Sequence, residues 1–562
     1  MFSDESSNIV LLNYHPKMKL ELLFVSLILN ILATSICQET QGRIVDTTTG
    51  PIQGTTSYVL QKPVQTFLGI PYAKPPIGDL RFSKPEPKEP WTETFMATSM
   101  APACIQNAIY PFPWYDFESG KSEDCLYLNI WAPIDCKNGS KKAVMFWMHG
   151  GGPFGSNRKT VYDGRSLAAF GDVILVSPNF RLGLLGFFTS GTAELPGNNG
   201  LWDLITALHW VRDNIESFGG DPDRITLHGE SSGSFYVSLF CLSPFTKGLF
   251  SKAILQSGTA MLLQSNTMDT NVATSQRIAK AMNCATDDRN IENDTQNVLK
   301  CLKEKDAFEL VNTLMSFNPA SDMDFLPQYG DDLFPVPPYE VIKNGNFHHV
   351  PLLIGDVKDE GVNMVTMHPE IFGFFGEKDT LINKTYGTSL IQGTVDGFLH
   401  CSGADVASYY LDNIADDDYY AIRHQTHVAN GEITLTCPTS YFAESYAESG
   451  MDVYYYLYTH RPSTTPWAPW MGTGHFEETQ FVFGQPLLEP QRYTPEEQQL
   501  SQKMIETWAQ FAKQGNPIIC HDWPTYNKQN HTLMIIDTEF NGNLGTGPSL
   551  ENCNFLRRCF VL

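Results

Sequence analysis

The sequence predicts an α/β fold with a large, mainly parallel central sheet covered by helices on both faces, and three observations carry that prediction. Apolar runs of strand length alternate with runs of helical spacing through the first half of the chain, the order that builds a parallel sheet. Charged residues make up 18% of the 562 positions and apolar ones 42%, so a large core can form and general disorder is excluded. One strand run also passes through Gly229-Glu230-Ser231-Ser232-Gly233 directly into a helical run, a strand–turn–helix unit.

Taken in order, residues 143–152 (AVMFWMHGGG) read as an apolar strand ending in glycines, and residues 172–181 (DVILVSPNFR) as another. Residues 201–215 (LWDLITALHWVRDNI) carry apolar side chains at helical spacing, which predicts a helix packed on a sheet face. Residues 225–242 (ITLHGESSGSFYVSLFCL) read strand, tight turn and helix. Short buried strands are expected at 252–258 (KAILQSG) and 350–356 (VPLLIGD), with two more at 453–460 (VYYYLYTH) and 532–537 (TLMIID). No internal repeat, low-complexity tract or linker is visible, so a single domain over residues 38–562 is expected.

Ahead of that domain, residues 18–37 read as an export signal: Lys19, the apolar run LELLFVSLILNIL, then the small residues Ala33, Thr34 and Ser35. Residues 1–17 are acidic and read as an upstream extension, with the true start at Met18 and cleavage between Ser35 and Cys37. No second run of this kind follows and no lipid-anchor tail is seen, so a secreted, extracellular protein without a membrane span is expected. Twelve cysteines in an exported chain imply disulfides. Sequons at Asn138, Asn293, Asn383 and Asn530 agree with an extracellular glycoprotein. The formal net charge of -24 argues against nucleic acid and anionic membranes as partners, and would concentrate cationic ligands.

The sharpest chemical signal is the G-x-S-x-G pattern at Gly229–Gly233. A chain that bends from strand to helix with a serine at the apex needs small neighbours where backbone passes close by. The Ser231 hydroxyl then stands clear of the sheet, before a helix N-terminus that favours developing negative charge. Upstream, His149-Gly150-Gly151-Gly152 follows a strand, and backbone N–H groups of such a run can turn toward a carbonyl oxygen. Gly151 and Gly152, with the N–H of Ser232, make a three-donor oxyanion hole; Pro153 has no N–H to add.

A serine nucleophile needs a base, and the base an orienting acid. Among the histidines after Ser231, His475 has the best local case, because Met471-Gly472-Thr473-Gly474 permits a loop that aims an imidazole inward. An acid at a strand end is offered by residues 354–361, where Asp356, Asp359 and Glu360 all remain open. The chemistry needs no metal or cofactor.

Here the chain resembles the type-B carboxylesterase and cholinesterase family. The residues that carry the resemblance are FLGIPYAKPPIGDLRF (67–82), EDCLYLNIW (123–131), GNNGLWD (197–203), GESSG, KDEG (358–361), GHFEETQFVFG (474–484) and WAQFAKQGNP (508–517). It covers essentially all of the mature chain. The resemblance implies an α/β-hydrolase fold, a triad of Ser231, Glu360 and His475, and oxyanion donors at Gly151, Gly152 and Ser232. It also implies bridges Cys104–Cys125, Cys284–Cys301 and Cys437–Cys553, the last typical of cholinesterases, and structural ion pairs Arg81–Glu123 and Arg181–Asp203. Cys136, Cys241, Cys401 and Cys520 stay unassigned, and Cys559 is open to an intersubunit bond, an intrachain bond or a free thiol.

The substrate pocket departs from that pattern. Trp114 is the candidate to hold a choline head through cation–π attraction, although its spacing to Cys125 is one residue longer than usual. Glu230 can add negative potential for the same cation, and Trp470 resembles a further pocket element. The acyl wall falls on Ser321 and Met323, smaller or more flexible than the phenylalanines of acetylcholinesterases, so longer acyl chains should be admitted. Residues Asn363 and Met364 replace the aromatic gate, and the elbow reads GESSGS where GESAGG is usual. The expected activity is a secreted, cholinesterase-like carboxylesterase. Acetylcholinesterase proper is one alternative, and a catalytically inactive adhesion protein of the neuroligin type is the rival from another class.

Overall fold

Runs of apolar, β-branched and aromatic residues make the strands, and their burial decides which of them lie in the middle of the sheet. The computed structural model describes residues 40–106, 120–134, 140–152, 155–158, 160–263, 267–317, 325–362, 368–519 and 521–560. An antiparallel meander opens the chain: β1 (Thr40–Thr47), β2 (Gly50–Val59) and β3 (Lys62–Pro71), with β4 (Phe95–Met96) beside β2. Strands β5 (Ala103–Cys104) and β6 (Lys121–Ser122) form a small separate pair. Next come β7 (Tyr127–Pro133), β8 (Lys142–Met148), β9 (Ile174–Pro178), β10 (Gly220–Glu230) and β11 (Lys252–Gln256). The last four are β12 (Leu352–Val357), β13 (Val453–Tyr458), β14 (Thr532–Ile536) and β15 (Leu544–Thr546).

One mixed sheet of 13 strands results, in the order β1-β2-β3-β7-β9-β8-β10-β11-β12-β13-β14-β15 with β4 off β2. From β9 to β14 every neighbour is parallel, and the flanks on both sides are antiparallel except for β4, which runs parallel to β2. The expected α/β class with a parallel centre is therefore present, and so is each strand that the sequence predicts. The antiparallel flank β1–β3 carries no comparable apolar run. In β2 only part of the strand is buried, as suits a sheet margin that meets water.

Residue alternation along the central strands feeds two cores. Val144, Phe146 and Met148 of β8 join one apolar cluster, and Met145 and Trp147 join the other. On the first face lies helix α1 (Asn199–Asn214), whose Leu201, Leu204, Leu208 and Val211 recur at helical spacing and are fully buried. Helix α2 (Ser232–Leu242) packs in the same cluster. Helices α3 (Tyr419–Gly431) and α4 (Cys437–Glu448) follow β12 in the chain. The second face is covered by α5 (Pro495–Gln514) through Leu500, Met504, Ile505 and Trp508. A capping box at α5, with Thr494 and Glu497 satisfying each other's backbone N–H, and a left-handed Gly515 at its end explain why the helix starts and stops there.

The three bridges implied by resemblance are present: Cys104–Cys125, Cys284–Cys301 and Cys437–Cys553. Cys559 forms a fourth with Cys401, which corrects the expectation that it could join two subunits. The physical reason is position: Cys559 is buried at the end of the short helix α6 (Leu550–Leu556) and its following turn, facing Cys401 at a Cα–Cα distance of 5.0 Å. Cys241 is a buried free thiol; Cys136 and Cys520 lie outside the described residues. Arg81 pairs with Glu123 at 2.6 Å and Arg181 with Asp203 at 2.7 Å, both largely buried. Asn293, Asn383 and Asn530 are exposed, as glycan acceptors must be, and Asn138 is not among the described residues. No helix of the described residues is long and apolar enough to cross a membrane.

Candidate active site

The predicted site residues leave the sheet from the carboxyl ends of β8, β10, β12 and β13, where open α/β sheets form crevices. Ser231 follows β10 immediately, with φ 55° and ψ -126°, before α2 begins. Two glycines make that bend possible. A Cβ on Gly233 would lie 2.0 Å from the Met148 carbonyl oxygen, and one on Gly229 would lie 2.4 Å from the Gly233 carbonyl carbon. Strand and helix thus pass too close for any side chain, and the elbow is held against the end of β8.

His475 comes from the loop after β13. That loop is fastened to the segment after β12 by Asp359, whose N–H donates to the Thr473 carbonyl at 3.0 Å and whose carboxylate accepts from the Thr473 N–H at 2.9 Å. A side chain on Gly472 would collide with that carboxylate, its Cβ lying 2.2 Å from Asp359 Oδ2. Glu360 accepts from the Val357 N–H at 2.9 Å, which aims its second oxygen at His475 Nδ1, 2.6 Å away. The three carboxylates left open by the sequence therefore have three separate partners. Glu360 meets the imidazole, Asp359 holds the loop backbone, and Asp356 meets the Tyr455 hydroxyl.

His475 Nε2 faces Glu230 Oε1 at 3.1 Å, while the Ser231 hydroxyl makes no hydrogen bond among the described residues. Glu230 is 1% exposed and Glu360 3%. Burial acts to lower the His475 pKa, but the carboxylates of Glu360 and Glu230, the Glu360 hydrogen bond and the more distant Glu478 outweigh it and raise it from 6.5 to about 9. Burial, with Glu360 next to it, holds the Asp356 carboxyl well above the usual range.

Behind the histidine lies a polar network that sequence reasoning missed. Glu478 accepts from Gln256 Nε2 at 2.8 Å, and Gln256 Oε1 accepts from Trp508 Nε1 at 2.9 Å and lies 2.6 Å from His228 Nε2. Burial lowers the His228 pKa to about 3, so its imidazole is neutral and donates to Gln256. Burial likewise raises Glu478 to about 7. Glu478 stands three residues after His475 in GHFEETQ, which was the available signal.

Gly151 and Gly152 follow β8 with φ 119° and 63°, next to the elbow. The Gly152 N–H donates to the Ser232 hydroxyl at 3.0 Å. Of the pocket candidates, Glu230 adjoins the imidazole, but Trp470 contacts other parts of the chain. The Arg423 guanidinium lies 4.0 Å over its ring, His427 stacks at 5.1 Å, and its indole N–H donates to the Gly376 carbonyl at 2.9 Å. Trp114, Ser321 and Met323, with Asn363 and Met364, lie outside the described residues. Among the described residues no group of three or more His, Cys, Asp or Glu side chains is arranged to hold a metal ion.

The chain is similar to known proteins along most of its length. The model of the carboxylesterase family matches residues 41–556. The chain is 37% identical to acetylcholinesterase-1 of Trittame loki over 93% of this chain and 95% of that protein. It is 36% identical to the acetylcholinesterase of Bungarus fasciatus over 90% of this chain and 84% of that one, and 34% identical to the cholinesterase of Mus musculus over 92% and 87%. With a family match across nearly the whole described chain and relatives matched over most of their own length, the chain belongs to the carboxylesterase family and is a carboxylic ester hydrolase.

Proposed function

We propose that the protein is a secreted serine hydrolase of cholinesterase-like character, which cleaves carboxylic esters through an acyl intermediate on Ser231. The observation that carries this reading is the 2.6 Å pair between His475 Nδ1 and Glu360 beside a serine at the apex of a strand–helix elbow. Glu360 fixes the tautomer in which Nδ1 carries hydrogen, leaving Nε2 to accept the proton of Ser231. For that, Nε2 exchanges Glu230 for the serine hydroxyl when substrate arrives; catalytic hydrogen bonds often tighten only in the complex. Ser231 Oγ bonds to the ester carbonyl carbon, and the charge on its oxygen is met by the N–H groups of Gly151, Gly152 and Ser232. His475 returns the proton to the departing alcohol, and water, deprotonated by the same imidazole, then releases the acid and restores Ser231.

Choline esters fit this site because its wall is acidic: Glu230 and Glu360 flank the imidazole and Glu478 lies behind it. A cationic leaving group is favoured by that potential and by the chain's net charge of -24. The relatives named acetylcholinesterase and cholinesterase support the same substrate class. In this reading Trp114 offers the ring face for the cation, and Ser321 and Met323 wall the acyl group.

The test is kcat/KM on acetylthiocholine, butyrylthiocholine and an uncharged thioester of matched shape, with Ser231→Ala as control. Ser231→Ala is expected to abolish turnover of all three, and most of the activity surviving in it would overturn the acyl-serine mechanism. A preference for the cationic esters supports the choline reading. Equal or better turnover of the uncharged ester makes the enzyme a general carboxylesterase.

A further inference from the structure

An amide proton points one way at a time, and the Gly152 proton is spoken for. Its N–H donates to the Ser232 hydroxyl oxygen at 3.0 Å, whereas the N–H groups of Gly151 and Ser232 donate to no protein acceptor among the described residues. The Ser232 hydroxyl lies one turn before Tyr236, a buried residue of α2 whose ring packs edge-on against Phe180.

The placement of this hydroxyl is set by backbone. Gly233 is pressed against the Met148 carbonyl, and a Cβ on Gly150 would lie 2.4 Å from the Glu230 carbonyl oxygen, so the glycine loop and the elbow have no room to come closer together. Ser232 therefore carries its Oγ to the side of the site where the Gly152 N–H emerges. The Cβ direction of Gly152 meets nothing within 4 Å, so the loop backbone is open toward the cleft and the Ser232 oxygen is the acceptor it finds.

We infer that the Ser232 side chain is a built-in occupant of the oxyanion hole, a hydroxyl that takes up one of its three donors in the free enzyme and must be displaced as the substrate oxygen becomes negative. The inference rests on the proposed acyl transfer at Ser231. Ser232 then has two opposed parts: its backbone N–H stabilises the tetrahedral intermediate, and its hydroxyl competes with that intermediate for the Gly152 N–H. The competition is felt most in the transition state, where the substrate oxygen carries charge, and least in the ground-state complex with a neutral carbonyl. It should therefore act on kcat more than on KM.

The test is Ser232→Ala, which removes the hydroxyl, keeps the N–H and places a good helix former at the first position of α2. The expected result is a rise in kcat/KM of about threefold to tenfold, the range of one ordinary hydrogen bond that no longer has to be exchanged, carried mainly by kcat. Inhibition by an aliphatic trifluoromethyl ketone, whose adduct on Ser231 sets an anionic oxygen in the hole, should tighten by a similar factor. An unchanged or reduced kcat/KM overturns the inference and makes the hydroxyl a brace for the glycine loop. A rise without tighter ketone binding also overturns it, because the gain then arises outside the hole. Ser231→Ala run alongside separates the two claims: persistent turnover there defeats the acyl-serine reading itself, whereas a dead Ser231→Ala with no gain in Ser232→Ala defeats only this one.

Discussion

At the scale of single residues the site is dominated by His475 and the two carboxylates on either side of it. A base works only when neutral, and a pKa of about 9 keeps His475 protonated through the neutral range. The expected consequence is that kcat/KM for the free enzyme climbs with pH on a limb near 9, well above the ordinary histidine value. Glu230→Gln removes one of the charges that raise this pKa while preserving shape. We expect the limb to move acid-ward by about one pH unit in that variant, read from pH–rate profiles on an uncharged ester; an unmoved limb would show that Glu230 does not set the base. The same shift bears on stability with a defined sign. The folded pKa exceeds the unfolded value of 6.5, so the stabilisation from pairing the imidazolium is complete below 6.5 and is lost as pH rises through about 9. Composition could not have chosen Glu360 over Asp356 or Asp359. The three sit within five positions on one strand end, and only the direction of each side chain, set by the chain path after β12, separates orienting acid, loop fastener and buried phenol partner.

Among the elements, the carboxyl-terminal segment is fastened by covalent links as well as by packing, with Leu556 and Phe560 buried and Arg557 paired with Glu444. Helix α6 is a short element, and two bridges hold it and the turn beyond it: Cys437–Cys553 to α4 and Cys401–Cys559 to the segment before α3. These close long loops, with separations of 116 and 158 residues. In the chain-entropy account each such bridge contributes about 3–5 kcal/mol. Because both fasten the same segment, their effects should not add. Replacing the pair Cys437/Cys553 by serines is expected to lower the melting temperature modestly, and the pair Cys401/Cys559 likewise. Replacing all four should cost clearly more than the sum of the two, since either bridge alone still pins the segment. Differential scanning calorimetry of the three variants checks this; strict additivity would mean that the bridges act on separate units. The first three bridges were legible through family resemblance, whereas Cys401–Cys559 was not, because pairing partners 158 residues apart leave no local trace.

For the whole molecule, charge and sheet order matter together. A net charge of -24 surrounds a cleft whose own wall carries Glu230 and Glu360, so cationic substrates should be steered in and neutral ones should not. Raising ionic strength from about 0.01 to 0.15 M shortens the screening length from about 30 to 8 Å. The expected outcome is a falling kcat/KM for a thiocholine ester and a nearly flat one for the matched uncharged thioester; parallel behaviour of the two would remove steering from the account. The global fold was legible in its middle and blank at its margins. Strands β8 to β14 are buried on both faces and announce themselves as apolar runs, whereas β1 to β3 are only partly covered and their mixed composition resembles a loop.

Features that depend on neighbours along the chain could be read from the order of residues alone. These are the apolar runs of the parallel centre, the glycines that let Ser231 stand at an elbow, the glycine run before it, and the family to which their order belongs. Folding settled everything that depends on which distant segments meet. It brought Glu360 and His475, 115 residues apart, to 2.6 Å, set Glu230 against Nε2 of that imidazole, turned Cys559 inward to Cys401, and laid the Ser232 hydroxyl on the Gly152 N–H. All four need close approach, and a disulfide closes only when its two Cα atoms come within about 4.4–6.8 Å. Hydrogen bonds and ion pairs act over about 3 Å, and positions that far apart in the chain come within that range only when a whole sheet sets their separation.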